Sequence, residues 1–346
     1  MTPNHIVRPK PLGKPILRLA PPVVAALSLG LASCGHASPS ALDPHGPGSD
    51  RIAGLWWFMF AVSSAVIVFV GAVILVGILP RRRRRHLDPG VTPTWAKNLV
   101  VGGGVVFPVV VLSVLWVVTL HDMQALSSPP SPARLEVIVD GYQWWWKVQY
   151  PQLGIVTAND IHIPTGEAVR IRLVTHDVIH SFWVPQLTGK TDLISGKVNS
   201  TWVETDTPGV YRGQCAEYCG LQHANMIFYV VAQTRPDFDA WAARERQGAA
   251  PPATSDLLRG QDVFLSSPCE SCHTVRGTPA HGTLGPDLTH FGSRLTIGAG
   301  AAPNNAGTLG GWIIDSQGVK PGNRMPPIQL PAQDLQALID WLESLK

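Results

Sequence analysis

Two long apolar stretches, Ile52 to Leu79 and Leu99 to Leu120, constrain the chain more than any other feature. Each is long enough to cross a hydrocarbon core of ~30 Å, so residues 52–121 are expected to form a two-helix transmembrane hairpin. Between the two stretches lies Arg81-Arg82-Arg83-Arg84-Arg85, and a short loop so rich in arginine stays on the cytoplasmic side. Everything after His121 then faces outward. The flanking spans also argue against a nucleic-acid patch at these arginines. Residues 1–120 hold 11 Lys and Arg against 3 acids, and the remainder holds 16 against 21, so nucleic-acid binding by the rest of the chain is disfavoured too.

The first residues carry Arg8, Lys10, Lys14 and Arg18, then an apolar run from Leu19 to Leu31, then Leu31-Ala32-Ser33-Cys34. This is the layout of an export signal. The small residues before Cys34 resemble a bacterial lipoprotein cleavage box. Residues 1–33 therefore read as a lipoprotein-type signal peptide, Cys34 as the lipidated first residue, and 34–51 as a lipidated tether. Signal and arginine run agree on the topology independently. They place the protein in a bacterial plasma membrane with its later domains on the outer face.

Beyond the membrane, short extended segments arrive in series. Val169, Ile171 and Leu173 alternate with Arg170 and Arg172, the period of a half-buried strand. Leu135 to Val139, Thr201 to Glu204 and Met226 to Ala232 look similar, with Pro164-Thr165-Gly166 and Pro208-Gly209 at turns. A small β-sandwich or barrel over 133–235 is the economical fold. Residues 247–254, Gly, Ala and Pro between Gln247 and Thr254, read as a linker, and residues 255–346 as a separate domain with helix-like stretches at both ends.

With Cys34 assigned to lipid, four cysteines remain in two pairs. In an exported protein a pair is ordinarily a disulfide. Their neighbours argue otherwise. Cys215, Cys219, His223 and Met226 place two thiols, an imidazole and a thioether in one loop, and such soft donors suggest copper. A mononuclear electron-transfer site needs only one thiolate. Two can bridge two coppers, given a second histidine and a weak carbonyl ligand. His180 is the candidate and His176 its competitor; composition does not separate them.

The stretch Asp177 to Pro185 together with Cys215 to Met226 resembles cytochrome c oxidase subunit II and its binuclear copper A centre. The resemblance implies two N-terminal transmembrane helices and an outward, all-β, cupredoxin-like Greek-key domain. It implies the ligands His180, Cys215, Glu217 through its carbonyl, Cys219, His223 and Met226, and a magnesium ion at the Glu217 carboxylate where subunit I docks. Gly141-Tyr-Gln-Trp144-Trp145-Trp146 also resembles that family's aromatic segment, in which Trp144 is the entry point for electrons. On a strand, Trp144 and Trp146 would share one face and Trp145 the other.

The second pair lies in Cys269-Glu-Ser-Cys272-His273, the signature of covalent haem c attachment, with His273 as one axial ligand. Met325 is the only methionine that follows, and His281 and His290 are its competitors for the other axial position. The segment resembles class I cytochrome c, all-α, which favours Met325. Together the resemblances imply the subunit II form with a fused cytochrome c domain. Its function would be to relay electrons from an external donor, a cytochrome or a quinol-oxidising complex, through haem c and copper A to subunit I. Oxygen reduction and proton pumping would occur there, beside other membrane subunits. The alternatives are the electron-entry subunit of a copper A nitric oxide reductase, or a copper-binding lipoprotein with no relay.

Overall fold

The computed structural model describes residues 39–78 and 94–346. The segment expected to be a signal peptide, Cys34 and the Arg81–Arg85 run lie outside the described residues.

Two helices, Pro47–Ile78 and Thr94–Ser127, are long and apolar enough to cross a membrane. At ~1.5 Å per residue each exceeds ~45 Å, more than the hydrocarbon core requires. Trp116 and Leu75 are about two-thirds exposed, so these faces need lipid or a partner to cover them. The second helix passes through a π turn at Gly102–Val106, where three successive glycines weaken the regular hydrogen-bond ladder. Arg51 and Asp122 form an ion pair at 3.5 Å that joins the two helices near their outer ends. The helix runs on through Leu126 to Ser127, and the Leu126 carbonyl accepts a 2.9 Å bond from Trp202 Nε1. The segment before the first helix is likewise seated: His45 and Ser49 donate their amides to the Gln186 and Leu187 carbonyls.

The β domain consists of ten strands in two five-stranded sheets. One has the order β3-β2-β1-β5-β8, with β1 Leu135–Tyr142, β2 Trp145–Tyr150, β3 Ile155–Ala158, β5 Val169–Thr175 and β8 Asn199–Val203. The other has the order β4-β10-β9-β6-β7, with β4 Asp160–Pro164, β6 His180–Trp183, β7 Thr191–Leu193, β9 Gly209–Cys215 and β10 Ile227–Gln233. Pairing of β1 with β5 and of β10 with β4 is parallel, and the remaining ladders are antiparallel. Alternation explains the core: Val169, Ile171 and Leu173 are fully buried while the intervening arginines face outward. Trp146, Phe182 and Phe228 fill the space between the sheets, the two phenylalanine rings stacked at 4.6 Å.

The helix Arg235–Glu245 starts on a Thr234 side chain that accepts the Asp237 amide, and it stacks Trp241 on His162 at 4.2 Å. The Gly/Ala/Pro stretch that follows is pinned rather than free, because the Ala249 amide donates to the Arg276 carbonyl at 2.7 Å. In the last domain, helices Ser255–Ser266 and Ala332–Ser344 pack face to face. Gly260 permits that approach, since any Cβ there would meet the Ala337 backbone. Phe264 and Trp341 seal the contact at 5.1 Å. The domain is helical apart from a two-residue ladder, β11 Thr296–Ile297 with β12 Ala302–Pro303.

Candidate metal centres

The first centre forms where β6 begins, β9 ends and the loop to β10 turns back. His180 is fully buried and its Nδ1 lies 3.9 Å from Cys215 Sγ, while the competing His176 is exposed. Cys215 Sγ and Cys219 Sγ are 3.8 Å apart, far beyond the ~2.05 Å of a disulfide, and both are free thiols. Cys219 Sγ lies 3.6 Å from His223 Nδ1 and 3.8 Å from Met226 Sδ. Cys215 Sγ approaches the Glu217 carbonyl at 3.2 Å. The six donors named from the sequence thus converge on one small volume. The Glu217 carboxylate is directed elsewhere, 3.4 Å from Lys190 Nζ.

Electrostatics at the site favour an anion on Cys215 and a thiol on Cys219. The neighbouring Cys219 sulfur, with help from His180, pulls Cys215 down to about 4 against the effect of burial. Cys219 itself is pushed up, because the neighbouring Cys215 takes the negative charge and because it is buried. Burial would lower His180, but the Asp177 carboxylate, 2.8 Å from Nε2, and then Cys215 outweigh it and leave the imidazole raised. Asp177 occupies the far ring nitrogen and leaves Nδ1 aimed at the sulfurs, the outer-sphere arrangement that fixes a ligating histidine. Two thiols, two imidazole Nδ1 atoms, a thioether and a carbonyl are a donor set that suits copper.

The second centre is a cavity of about 470 Å³ walled by both domains. Cys269, Cys272, His273 and Met325 line it from the helical side, and Trp144 from the β domain. His273 Nδ1 donates to the Pro286 carbonyl at 2.8 Å, which leaves Nε2 free. Burial lowers His273, holding it neutral as a ligand must be, though the Pro286 bond opposes this. Gly285 makes room for the ring: a Cβ there would lie 2.6 Å from it. Met325 is fixed by its own backbone, the amide donating to Asn323 Oδ1 at 2.7 Å and the carbonyl accepting from Ser316 Oγ at 2.6 Å. Neither His281 nor His290 lines this cavity; His281 is exposed and His290 bonds the Gln247 carbonyl. Arg294 also lines the cavity, and its buried Nε has no partner among the described residues. An apolar slot with two thiols, a free imidazole nitrogen, a thioether and a buried guanidinium Nε without a partner fits haem c.

The three tryptophans divide by position. Trp146 is fully buried between the sheets and Trp145 stacks on Tyr142 at 5.1 Å. Trp144 sits in the turn between β1 and β2, not on a strand as the alternation argument assumed. Its ring lines the cavity and its Nε1 donates to the Cys219 carbonyl at 2.9 Å, with Gln143 Nε2 on the same oxygen at 2.8 Å. One side chain therefore touches both centres. Arg294, Gln143 and Lys320 carry no sequence signal: each binds backbone or a cavity formed by a distant segment.

Residues 153–233 match the family of the cytochrome c oxidase subunit II periplasmic domain, and residues 257–346 match the cytochrome c family. Cytochrome c oxidase subunit 2 of Alkalihalophilus pseudofirmus is 36% identical over 92% of this chain and 95% of its own length. That of Bacillus sp. strain PS3 is 34% identical over 70% of this chain and 72% of its own. A solved structure, the periplasmic domain of subunit II of cytochrome oxidase (CoxB) of Bradyrhizobium japonicum, is 27% identical with a TM-score of 0.33, covering 34% of this chain and 96% of that one.

Proposed function

The chain belongs to the cytochrome c oxidase subunit II family, in a form that carries a C-terminal cytochrome c domain, and from that premise we propose that it relays electrons into a haem-copper terminal oxidase. Haem c held in the cavity of the helical domain and binuclear copper A held in the copper loop would be the one-electron carriers between an external donor and subunit I, where oxygen reduction coupled to proton pumping would take place. The observation that carries this reading is Trp144, which lines the haem-sized cavity and bonds the Cys219 carbonyl at 2.9 Å. It serves as the point of electron entry to the copper loop.

Bound copper and haem supply one-electron chemistry, and the residues of this chain hold both in fixed surroundings, which keeps reorganisation small. His180, Cys215, the Glu217 carbonyl, Cys219, His223 and Met226 would hold two coppers, with Asp177 orienting His180. Cys269 and Cys272 would hold haem covalently, and His273 and Met325 would be its iron ligands, oriented by the Pro286 carbonyl and by the Ser316 and Asn323 bonds. The Glu217 carboxylate serves a magnesium ion shared with subunit I.

Residues 1–33 direct export, Cys34 is lipidated at the head of a tether over 34–51, and the hairpin over 52–121 docks beside subunit I. The copper domain over 133–235, the connection over 247–254 and the haem domain over 255–346 stand on the outer face of a bacterial plasma membrane. Turnover by the purified native complex tests the reading. Oxygen consumption driven by a reduced donor is expected, and nitric oxide turnover without oxygen turnover refutes it.

A further inference from the structure

Among the described residues Lys320 is the only buried lysine, at 2% exposure. Its Nζ lies 2.8 Å from the Trp144 carbonyl, 2.7 Å from that of Asn225 and 2.6 Å from that of Gly298. The three acceptors come from three places: the aromatic turn, the copper loop just before Met226, and the haem-domain hairpin between β11 and β12. An ammonium carries three protons, and here each has an acceptor. Desolvation draws the amine down to about 7, and three carbonyls are what a cation kept at that depth requires.

Three further bonds cross the same seam. Gln222 Nε2 donates to the Pro321 carbonyl at 2.8 Å, the Ile227 amide to that of Ala299 at 2.9 Å, and the Leu295 amide to Asp160 Oδ2 at 3.1 Å.

We propose that Lys320 is a latch, a positioning residue that fastens this chain's own haem domain over Trp144 and the copper loop. The Trp144 face is then closed to a separate cytochrome. An external donor must reach the haem from another side, and Trp144 becomes the way out of the haem pocket rather than a landing point for a soluble protein. The inference rests on the relay reading above, whereas the latch itself, on the wall of the haem cavity, acts through backbone carbonyls.

The test uses the intact, fully loaded complex. Lys320→Met keeps the length of the stem and removes the charge and all three donors. Each buried carbonyl left without a donor shifts the docking equilibrium by roughly tenfold. After photochemical injection of an electron into haem, transfer to copper is expected to slow by about tenfold or more. Amide exchange at Leu295 and Ile227, whose bonds cross the seam, should lose protection, while the separate copper and haem spectra stay as in the parent. Should that variant fail to assemble, Lys320→Gln, whose amide retains two donors, is expected to give a smaller slowing and a partial loss of protection. An unchanged transfer rate in an assembled variant overturns the latch whatever the exchange result. A parent complex in which haem never reduces copper rejects the relay reading instead.

Discussion

Asp160 offers a perturbation whose size follows from its surroundings. It begins β4, is almost wholly buried, and lines a second, polar cavity of about 150 Å³ with Glu245, His290, Arg244, Arg294 and the C-terminal Lys346. Oδ2 accepts the Leu295 amide, but Oδ1 has no partner among the described residues. Burial raises the carboxyl from 3.8 to about 6, against the opposing pull of the Leu295 bond and Arg294. A shift of two units corresponds to ~3 kcal/mol. The folded state binds the proton more tightly than the unfolded chain, so the penalty is absent below pH ~4, grows as pH rises to about 6, and is complete above it. Asp160→Asn keeps an oxygen for the Leu295 amide and abolishes the charge. At pH 8 the variant should be more stable than the parent by up to ~3 kcal/mol, and at pH 4 the two should nearly coincide. Denaturant unfolding of the loaded full chain in detergent, followed by circular dichroism across that pH range, gives both numbers. A variant destabilised equally at both ends, with the pH slope of the parent, refutes the reasoning.

Other substitutions probe the two donor sets. Asp177→Asn removes the carboxylate that orients His180 and should weaken copper binding by ~10- to 100-fold in a chelator competition, leaving the haem spectrum intact. Met325→Ala should change the axial ligation seen in the haem absorption spectrum and lower the haem potential. An unaltered spectrum would bring His281 or His290 back as the ligand. Phe264→Ala, which empties the contact with Trp341, should destabilise the haem domain by ~3–5 kcal/mol in thermal unfolding while the copper domain melts as before.

Much of the architecture was legible because its signals are local. Length and apolarity mark the two helices, and the Val169 to Leu173 alternation marks a strand whose inner face is the core. The family resemblance rested on Cys215 to Met226, where a single loop carries most of its donors. Composition could not choose between His176 and His180, since the choice depends on which ring the strand start buries beside Asp177. The seam between the domains was illegible. Lys320 reads as an ordinary surface cation because its three acceptors are backbone oxygens from segments far apart in sequence. The stretch over 247–254 reads as a linker, and its composition does not reveal that the Ala249 amide bonds the Arg276 carbonyl. Trp144 was assigned to a strand face by alternation, but the chain turns at that residue, which puts its ring against the cavity.

The central claim is that two thiolates, on Cys215 and Cys219, bridge a pair of coppers beside a covalently bound haem. Electron paramagnetic resonance of the oxidised, fully loaded full chain tests it most directly. One unpaired electron shared by two equivalent copper nuclei is the predicted hyperfine pattern, at two coppers per haem by metal analysis. A pattern from a single copper nucleus, or a Cys215–Cys219 disulfide in that material, would contradict the account.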